Sequence, residues 1–240
     1  MKILYIVPGS LSQSELGAEE LERRKKILQL HAQKETIVDI TDIESGPRSI
    51  ESSYEEYLSV PGTVERAIQA EKEGYDGLIL GCFGDPGLNA LREMVNIPVV
   101  GPVETAMHVA SMLGRKFSIV TVLDSVVPSL ERLAKVIGLD RRLASVRAVN
   151  IPVLELRHNI ESTTARMTEA SQRAIMEDSA DVIVLGCMSM AFMEVSEMMK
   201  KVLGIPVVNP ALVSLKVLEG LVQAGLSQSK RAYPFPPKKT

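Results

Sequence analysis

Cysteine, histidine and aromatic residues are scarce in this chain, and each scarcity excludes a class of protein. The 240 residues include two cysteines, too few for the disulfide framework of a small secreted protein, so reduced thiols in the cytoplasm are expected. The 3 histidines are scattered and show no metal-ligand spacing, so no metal site is expected. Aromatic residues are 4% of the chain and tryptophan is absent, so aliphatic residues and methionine must fill the core.

An excess of positive charge and long apolar runs are also missing. The 27 Lys and Arg against 30 Asp and Glu give a net charge of −3, which does not favour a nucleic acid or an anionic membrane as partner. No apolar run approaches the roughly 20 residues that span a bilayer. MKILYIVPGS is too short for a signal peptide and no small-residue cleavage site follows it. No Gly-x-Gly-x-x-Gly follows the first strand, so no dinucleotide cofactor is expected. The partner that we predict is a small-molecule substrate, for the reasons given below.

Apolar segments of strand length alternate with amphipathic segments of helix length along the chain. KILYIV predicts a buried first strand, and YDGLILG and ADVIVLG are later segments of the same kind. This alternation is typical of parallel sheets covered by helices. ESGPRSIESSYEEYLSVPG is predicted to be a long connection, with a helix starting at Pro61, and the Pro-rich tail is predicted to be loosely held.

The whole pattern occurs twice. LILGC ends at Cys82 and VIVLGC ends at Cys187, 105 residues later, while IPVVGP and IPVVNP start at residues 97 and 205, which are 108 apart. Two matches in the same order favour duplication over chance. The predicted fold is therefore α/β, with two pseudo-symmetric subdomains, each a mainly parallel four-stranded sheet flanked by helices. The predicted bounds are 1–101, completed by a helix at 210–225, then 102–209, and 226–240 for the tail.

Each cysteine follows a predicted strand, at the end where open parallel sheets bind ligands. A helix start comes within a few residues of each, and its backbone N–H groups favour a thiolate. If the subdomains face each other, one thiolate can remove a proton from a carbon beside a carbonyl while the other thiol protonates the opposite face. Two alternatives remain open: inert buried cysteines, and a redox pair that lacks the Cys-x-x-Cys spacing.

The segments GCFGDPGLNALRE, IPVVGPVETAMHVASMLGRKFSIVT and VIVLGC closely resemble the hydantoin racemases of the aspartate/glutamate racemase superfamily, to which allantoin racemases are near relatives. The resemblance runs from about Ser45 to Pro210 and is most specific over 76–121. It implies two facing α/β subdomains, an active site in the cleft between them, no cofactor and a homo-oligomer. The family's two catalytic cysteines match Cys82 and Cys187.

Substrate-binding candidates come from the resemblance and from the strand ends. The family's first loop usually reads Asn-Pro-Asn-Thr and helps to hold the substrate. This chain has Val-Pro-Gly-Ser at 7–10, so the resemblance is weaker evidence for the substrate than for the two-thiol chemistry. Asp85 and Ser189 are also predicted as helix N-caps, and Glu155 matches a site carboxylate of glutamate racemases by position only. The candidates are Pro8, Ser10, Phe83, Gly84, Asp85, Thr121, Glu155, Met188 and Ser189.

The sequence thus predicts a cofactor-independent isomerase that inverts C5 of a 5-substituted hydantoin or a related ureide. Basic residues are absent from the presumed loops, which favours a neutral ring over a free amino acid. The alternatives left open are an aspartate- or glutamate-type racemase and a maleate-isomerase-like or decarboxylase-like relative acting on a small dicarboxylate. A ligand-binding relative with idle cysteines is the non-enzymatic alternative.

Overall fold

The computed structural model describes residues 1–237, and the chain divides into two compact units. Unit 1 consists of Met1–Ile50, Tyr54–Pro102 and the chain from Ser214 onward, and unit 2 consists of Glu51–Ser53 and Val103–Val213. Each unit contains a four-stranded sheet in which all neighbouring strands are parallel. The predicted α/β fold with two similar halves is therefore confirmed.

Unit 1 is built on a sheet with the strand order β2-β1-β3-β4. Its strands are β1 (Lys2–Val7), β2 (Ile37–Asp42), β3 (Gly77–Leu80) and β4 (Val99–Val100). Its helices are α1 (Gly17–His31), α2 (Ser53–Lys72) and α3 (Leu88–Met94), and a 3₁₀ turn covers Leu11–Gln13.

Unit 2 repeats this plan with the strand order β6-β5-β7-β8. Its strands are β5 (Phe117–Thr121), β6 (Leu143–Ala148), β7 (Val182–Leu185) and β8 (Val207–Val208). Its helices are α4 (Pro102–Leu113), α5 (Val127–Val136), α6 (Ile160–Asp178), α7 (Met188–Ala191) and α8 (Ser196–Leu203). The last helix, α9 (Pro210–Gln223), begins in unit 2 and continues into unit 1.

The central strands of both sheets are buried, apart from Lys2 at the start of β1. Every residue of β3, β5 and β7 is buried, which explains why these segments are continuous apolar runs and not alternating ones. Leu4 and Leu78 pair across β1 and β3, and Phe117 and Val182 pair across β5 and β7. No helix within residues 1–237 is long and apolar enough to cross a membrane.

Helix α2 is longer than the sequence predicts. The prediction began it at Pro61, but it begins at Ser53, so half of the expected connection is helical and Pro61 lies inside the helix. Proline removes one backbone N–H from the helix interior. Two buried hydroxyl groups supply hydrogen bonds around this position, since Ser59 Oγ donates to Glu56 O at 2.7 Å and Thr63 Oγ1 donates to Ser59 O at 2.7 Å.

Helix α1 carries a buried group of charges that the sequence analysis did not predict. Glu20 and Arg24 are 2% and 3% exposed. Glu20 Oε1 accepts hydrogen bonds from Arg23 Nη2 and Arg24 Nε, both at 2.8 Å. Burial acts to raise the pKa of Glu20, but the hydrogen bond from Arg23 and the charge of Arg24 outweigh it and lower the pKa to about 2.

The tail is attached to unit 1, so the prediction of a loosely held segment is wrong for the described residues. Gln228 Nε2 donates to Val95 O and Ile97 O, each at 2.9 Å, and Gln228 Oε1 accepts from Val99 N at 3.2 Å. Lys230 Nζ donates to two carbonyl groups at the end of α3. The tail therefore satisfies backbone groups that surround β4; residues 238–240 lie outside the described part.

Candidate active site

Both cysteines lie where the sequence placed them, directly beyond a central strand. Cys82 follows β3 and Cys187 follows β7, each separated from its strand by one glycine. Cys82 is partly exposed and Cys187 is 9% exposed, and neither forms a disulfide. Each unit thus presents one thiol at the carboxyl end of its sheet, which is the end that binds ligands in open parallel folds.

The glycine before each cysteine is required by the neighbouring strand. Gly81 N donates to Ile6 O and Gly186 N donates to Val120 O, each at 2.7 Å. A Cβ on Gly81 would lie 2.7 Å from that same Ile6 oxygen, and a Cβ on Gly186 would lie 2.9 Å from Val120 O. The chain therefore passes too close to the central strand for a side chain, and the next residue is placed in the same way in both units.

A tight turn follows Cys82. Asp85 N donates to Cys82 O at 3.2 Å, and Asp85 has a φ of 48°, in the left-handed region. The carboxylate of Asp85 lies against Gly101 at the end of β4, because a Cβ on Gly101 would be 2.5 Å from Asp85 Oδ2. The prediction of Asp85 as a helix N-cap is wrong, since α3 begins at Leu88 and its N-cap position is Gly87.

The chain after Cys187 forms a short helix and not a turn. Cys187 is at the N-cap position of α7, and Ala191 N donates to Cys187 O at 3.0 Å. Met188 and Ser189 are 3% and 6% exposed. Ser189 lies inside α7, so its predicted N-cap position is wrong. The chain then turns between α7 and α8, where Glu194 has a φ of 59°.

Two hydroxyl groups that the sequence assigned to the substrate donate to backbone carbonyl groups instead. Ser10 Oγ donates to Gly46 O at 3.1 Å, and Thr121 Oγ1 donates to Gly186 O at 2.9 Å. Ser10 and Thr121 are 2% and 0% exposed. In this arrangement each hydroxyl proton stabilises the loop around the site, and contact of either residue with substrate stays a prediction.

The remaining candidates fall into groups within each unit. Phe83, Gly84 and Asp85 lie in the turn after Cys82, and Pro8 is buried directly after β1 in the same unit. In unit 2, Thr121, Met188 and Ser189 accompany Cys187, whereas Glu155 is exposed in the 3₁₀ turn Val153–Glu155. Among residues 1–237, no group of three His, Cys, Asp or Glu side chains could hold a metal ion.

One residue near Cys187 was missed by the sequence analysis. Asn209, which follows β8, is 8% exposed and forms hydrogen bonds with Ala191 of α7 and with the first turn of α9. The sequence could have indicated this residue, because IPVVGP and IPVVNP differ at a single position. That position is Gly101 in unit 1 and Asn209 in unit 2.

Comparison with known proteins gives matches over the whole chain. Residues 17–218 match the family model described as Asp/Glu/Hydantoin racemase. The chain is 36% identical to the hydantoin racemase of Pseudomonas sp. (strain NS671), over 100% of this chain and 93% of that protein. It is 34% identical to the hydantoin racemase of Rhizobium meliloti, over 98% and 95%.

Solved structures show the same arrangement of elements. The allantoin racemase from Pseudomonas fluorescens is 33% identical with a TM-score of 0.92, and covers 100% of this chain and 99% of its own. The allantoin racemase from Klebsiella pneumoniae is 31% identical with a TM-score of 0.91, over 100% and 95%. Arylmalonate decarboxylase, at 18% identity and a TM-score of 0.64 over 94% of both chains, shares the fold.

Proposed function

This chain belongs to the Asp/Glu/Hydantoin racemase family, and we propose that it is a cofactor-independent racemase that inverts C5 of a 5-substituted hydantoin or a related ureide. The family membership confirms the resemblance found in the sequence. It also confirms the predicted class of enzyme, since racemases are isomerases. The observation that carries the proposal is the matched pair of Gly-Cys segments, one beyond the central strand of each unit.

The proposed reaction removes a proton from one face of C5 and adds a proton to the opposite face. The thiolate of one cysteine takes the C5 proton and becomes a thiol, and the electron pair of the broken C–H bond moves into the C4 carbonyl as an enolate. The thiol of the other cysteine then protonates C5 from the opposite face and becomes a thiolate. The two cysteines exchange protonation states in each turnover, and the reverse reaction uses them in the opposite roles.

The charges near the two thiols favour a neutral substrate. The segments directly after the cysteines, 83–87 and 188–195, contain no Lys, Arg or His. A free amino acid would bring a carboxylate that these segments do not neutralise with a cation, whereas a hydantoin ring brings carbonyl oxygens that backbone N–H groups can bind. The C5 proton of a hydantoin, which lies next to a ring carbonyl, is also more acidic than the Cα proton of a free amino acid. A thiolate can therefore remove it more easily.

Allantoin is the second candidate substrate. The two solved allantoin racemases match this chain over its full length with TM-scores of 0.91 and 0.92. Allantoin contains the same hydantoin ring with a ureido group at C5, so the thiol chemistry would be unchanged. The difference lies only in the pocket that receives the C5 substituent.

Proton exchange at C5 tests the proposed function. Pure enantiomers of 5-isopropylhydantoin, 5-benzylhydantoin and allantoin, with aspartate and glutamate as comparisons, would be incubated with the protein in D₂O and followed by NMR and polarimetry. We expect deuterium to enter C5 of a hydantoin or of allantoin together with loss of optical rotation, beyond a heat-inactivated control. The absence of exchange on every ring substrate would contradict the proposal, and maleate would then test the isomerase alternative.

Single cysteine variants test the two-thiol mechanism. Cys82→Ala and Cys187→Ala should each abolish racemisation, since loss of a general acid or base costs about 10²- to 10⁴-fold and each direction needs both. Cys82→Ser and Cys187→Ser are controls that keep a small polar side chain of similar size. Circular dichroism and thermal melting should show folded protein in all four variants. Racemisation at the wild-type rate in either alanine variant would contradict this mechanism.

A further inference from the structure

Asn209 is a buried amide at the junction of β8 and α9, and the residues to which it is hydrogen-bonded lie in unit 2. Its Oδ1 accepts hydrogen bonds from Ala211 N at 3.0 Å and from Leu212 N at 3.3 Å, so it caps the N-terminus of α9. Because backbone N–H groups can donate only to the amide oxygen, the orientation of the side chain is fixed. Its NH₂ group must therefore point the other way, and Nδ2 donates to Ala191 O at 2.9 Å.

Ala191 connects this amide to Cys187. Ala191 N donates to Cys187 O at 3.0 Å, so Ala191 closes the turn of α7 that begins at the cysteine. On the other side, Thr121 Oγ1 donates to Gly186 O at 2.9 Å. The Cys187 segment is thus held at both ends by buried side chains, from β5 before the cysteine and from the β8–α9 junction after it.

Unit 1 brings the equivalent segments into contact, with the residue types reversed. Asp85 N donates to Cys82 O at 3.2 Å, so Asp85 has the place of Ala191. The β4–α4 junction carries Gly101 in the place of Asn209, and the carboxylate of Asp85 reaches across to Gly101. The cysteine segment therefore meets the end of the next strand in both units, through the contact of a loop side chain in unit 1 and through the hydrogen bond of a junction side chain in unit 2.

We propose that Asn209 is a positioning residue that fixes the Cys187 thiol for proton transfer by holding the carbonyl of Ala191. The proposal rests on the proposed two-thiol reaction. It separates the two hydrogen-bonding roles of one side chain: the oxygen stabilises α9, and the NH₂ group sets the position of the cysteine segment. A displacement of a reacting group by about 1 Å can lower a rate by about 100-fold, so a single bond of this kind can control catalysis.

Two variants separate these roles. Asn209→Ser keeps an oxygen that can cap α9 and is neutral, but it is too short to reach Ala191 O. Asn209→Asp keeps the length and the cap, but places an acceptor where Ala191 O needs a donor. Asn159→Ser is the matched control, because Asn159 is exposed and its Oδ1 caps a different helix, α6, by accepting from Ser162 N at 2.9 Å.

The readouts are kcat and KM for the best ring substrate, the thermal melting temperature, and the rates at which iodoacetamide alkylates each cysteine, measured by peptide mass spectrometry. Cys82 serves as the internal reference for Cys187. For both Asn209 variants we expect kcat to fall about 10- to 100-fold with little change in KM, and the Cys187-to-Cys82 alkylation ratio to change. Asn159→Ser should leave kcat and the ratio at their wild-type values.

The outcomes distinguish failure of this inference from failure of the proposed function. Wild-type kcat and a wild-type alkylation ratio in both Asn209 variants would overturn the inference. Equal losses of melting temperature and activity in Asn209→Ser and Asn159→Ser would also overturn it, since capping alone would then explain the effect. If the wild-type protein racemises none of the substrates, the proposed function fails, while the alkylation ratio still decides whether Asn209 positions Cys187.

Discussion

Replacing Gly81 by alanine should destabilise the protein, because the added methyl group has no space. An ideal Cβ on Gly81 would lie 2.5 Å from Tyr5 Cε1 and 2.7 Å from Ile6 O. Neither neighbour can move easily, since Tyr5 is 0% exposed and Ile6 O is a backbone atom that accepts the Gly81 hydrogen bond. We therefore expect a loss near the upper end of the roughly 1 to 3 kcal/mol that overpacking costs.

A loss of this size can be measured by urea unfolding and by calorimetry. For a chain of this length, about 2 to 3 kcal/mol corresponds to a fall of roughly 4 to 12 °C in Tm. Racemisation should fall as well, since Gly81 precedes Cys82. Gly220→Ala is the matched control: nothing lies within 4 Å of a Cβ there, and alanine in the exposed interior of α9 should stabilise by about 0.5 to 1 kcal/mol. An unchanged or increased free energy of unfolding in Gly81→Ala would refute the argument.

Two further predictions concern unit 1. The pKa of Glu20 is lowered to about 2, so the stabilisation by its carboxylate is present above the ordinary pKa of about 4.5 and is lost as the pH falls toward 2. Glu20→Gln should therefore lower the free energy of unfolding by about 3 kcal/mol at pH 7 and by less at pH 3. Urea titration at the two pH values measures this difference. Gln228→Glu should destabilise by about 2 kcal/mol, since it removes the donors to Val95 O and Ile97 O; unchanged urea midpoints would contradict either prediction.

The periodicity of the sequence was sufficient to predict the strands of both sheets, but it did not predict the segments that connect and follow them. Strands such as KILYIV are predicted within the observed bounds because a strand buried on both faces must be apolar throughout. Helix α2 was cut short at Pro61 because local rules treat proline as a helix start, whereas the helix continues through it from Ser53 to Lys72. The attachment of the tail depends on contacts between Gln228 and residues far away in the chain.

In the candidate site, too, the features set by the local sequence were predicted, and the features set by contacts with distant segments were not. The positions of Cys82 and Cys187 follow from the strand pattern and from the repeat, so the sequence alone located them. The N-cap predictions for Asp85 and Ser189 failed, because the turn that closes on each cysteine carbonyl decides where the helix begins. Asn209 was missed because its partner is on another loop, and only a comparison of the two repeats marks the position as different.

Duplication explains why the two cysteine segments resemble each other, and the differences between them show what each unit has added. Both keep glycine before the cysteine, because in each case the central strand passes within hydrogen-bonding distance of that residue. After the cysteine, unit 1 has a tight turn closed by Asp85, whereas unit 2 has a helical turn that accepts a hydrogen bond from Asn209 at the β8–α9 junction. In the proposed reaction each cysteine is the acid in one direction and the base in the other, so the matched placement of the two thiols suits it. The two units therefore share the position of the cysteine and differ in the side chain through which its segment contacts the end of the next strand.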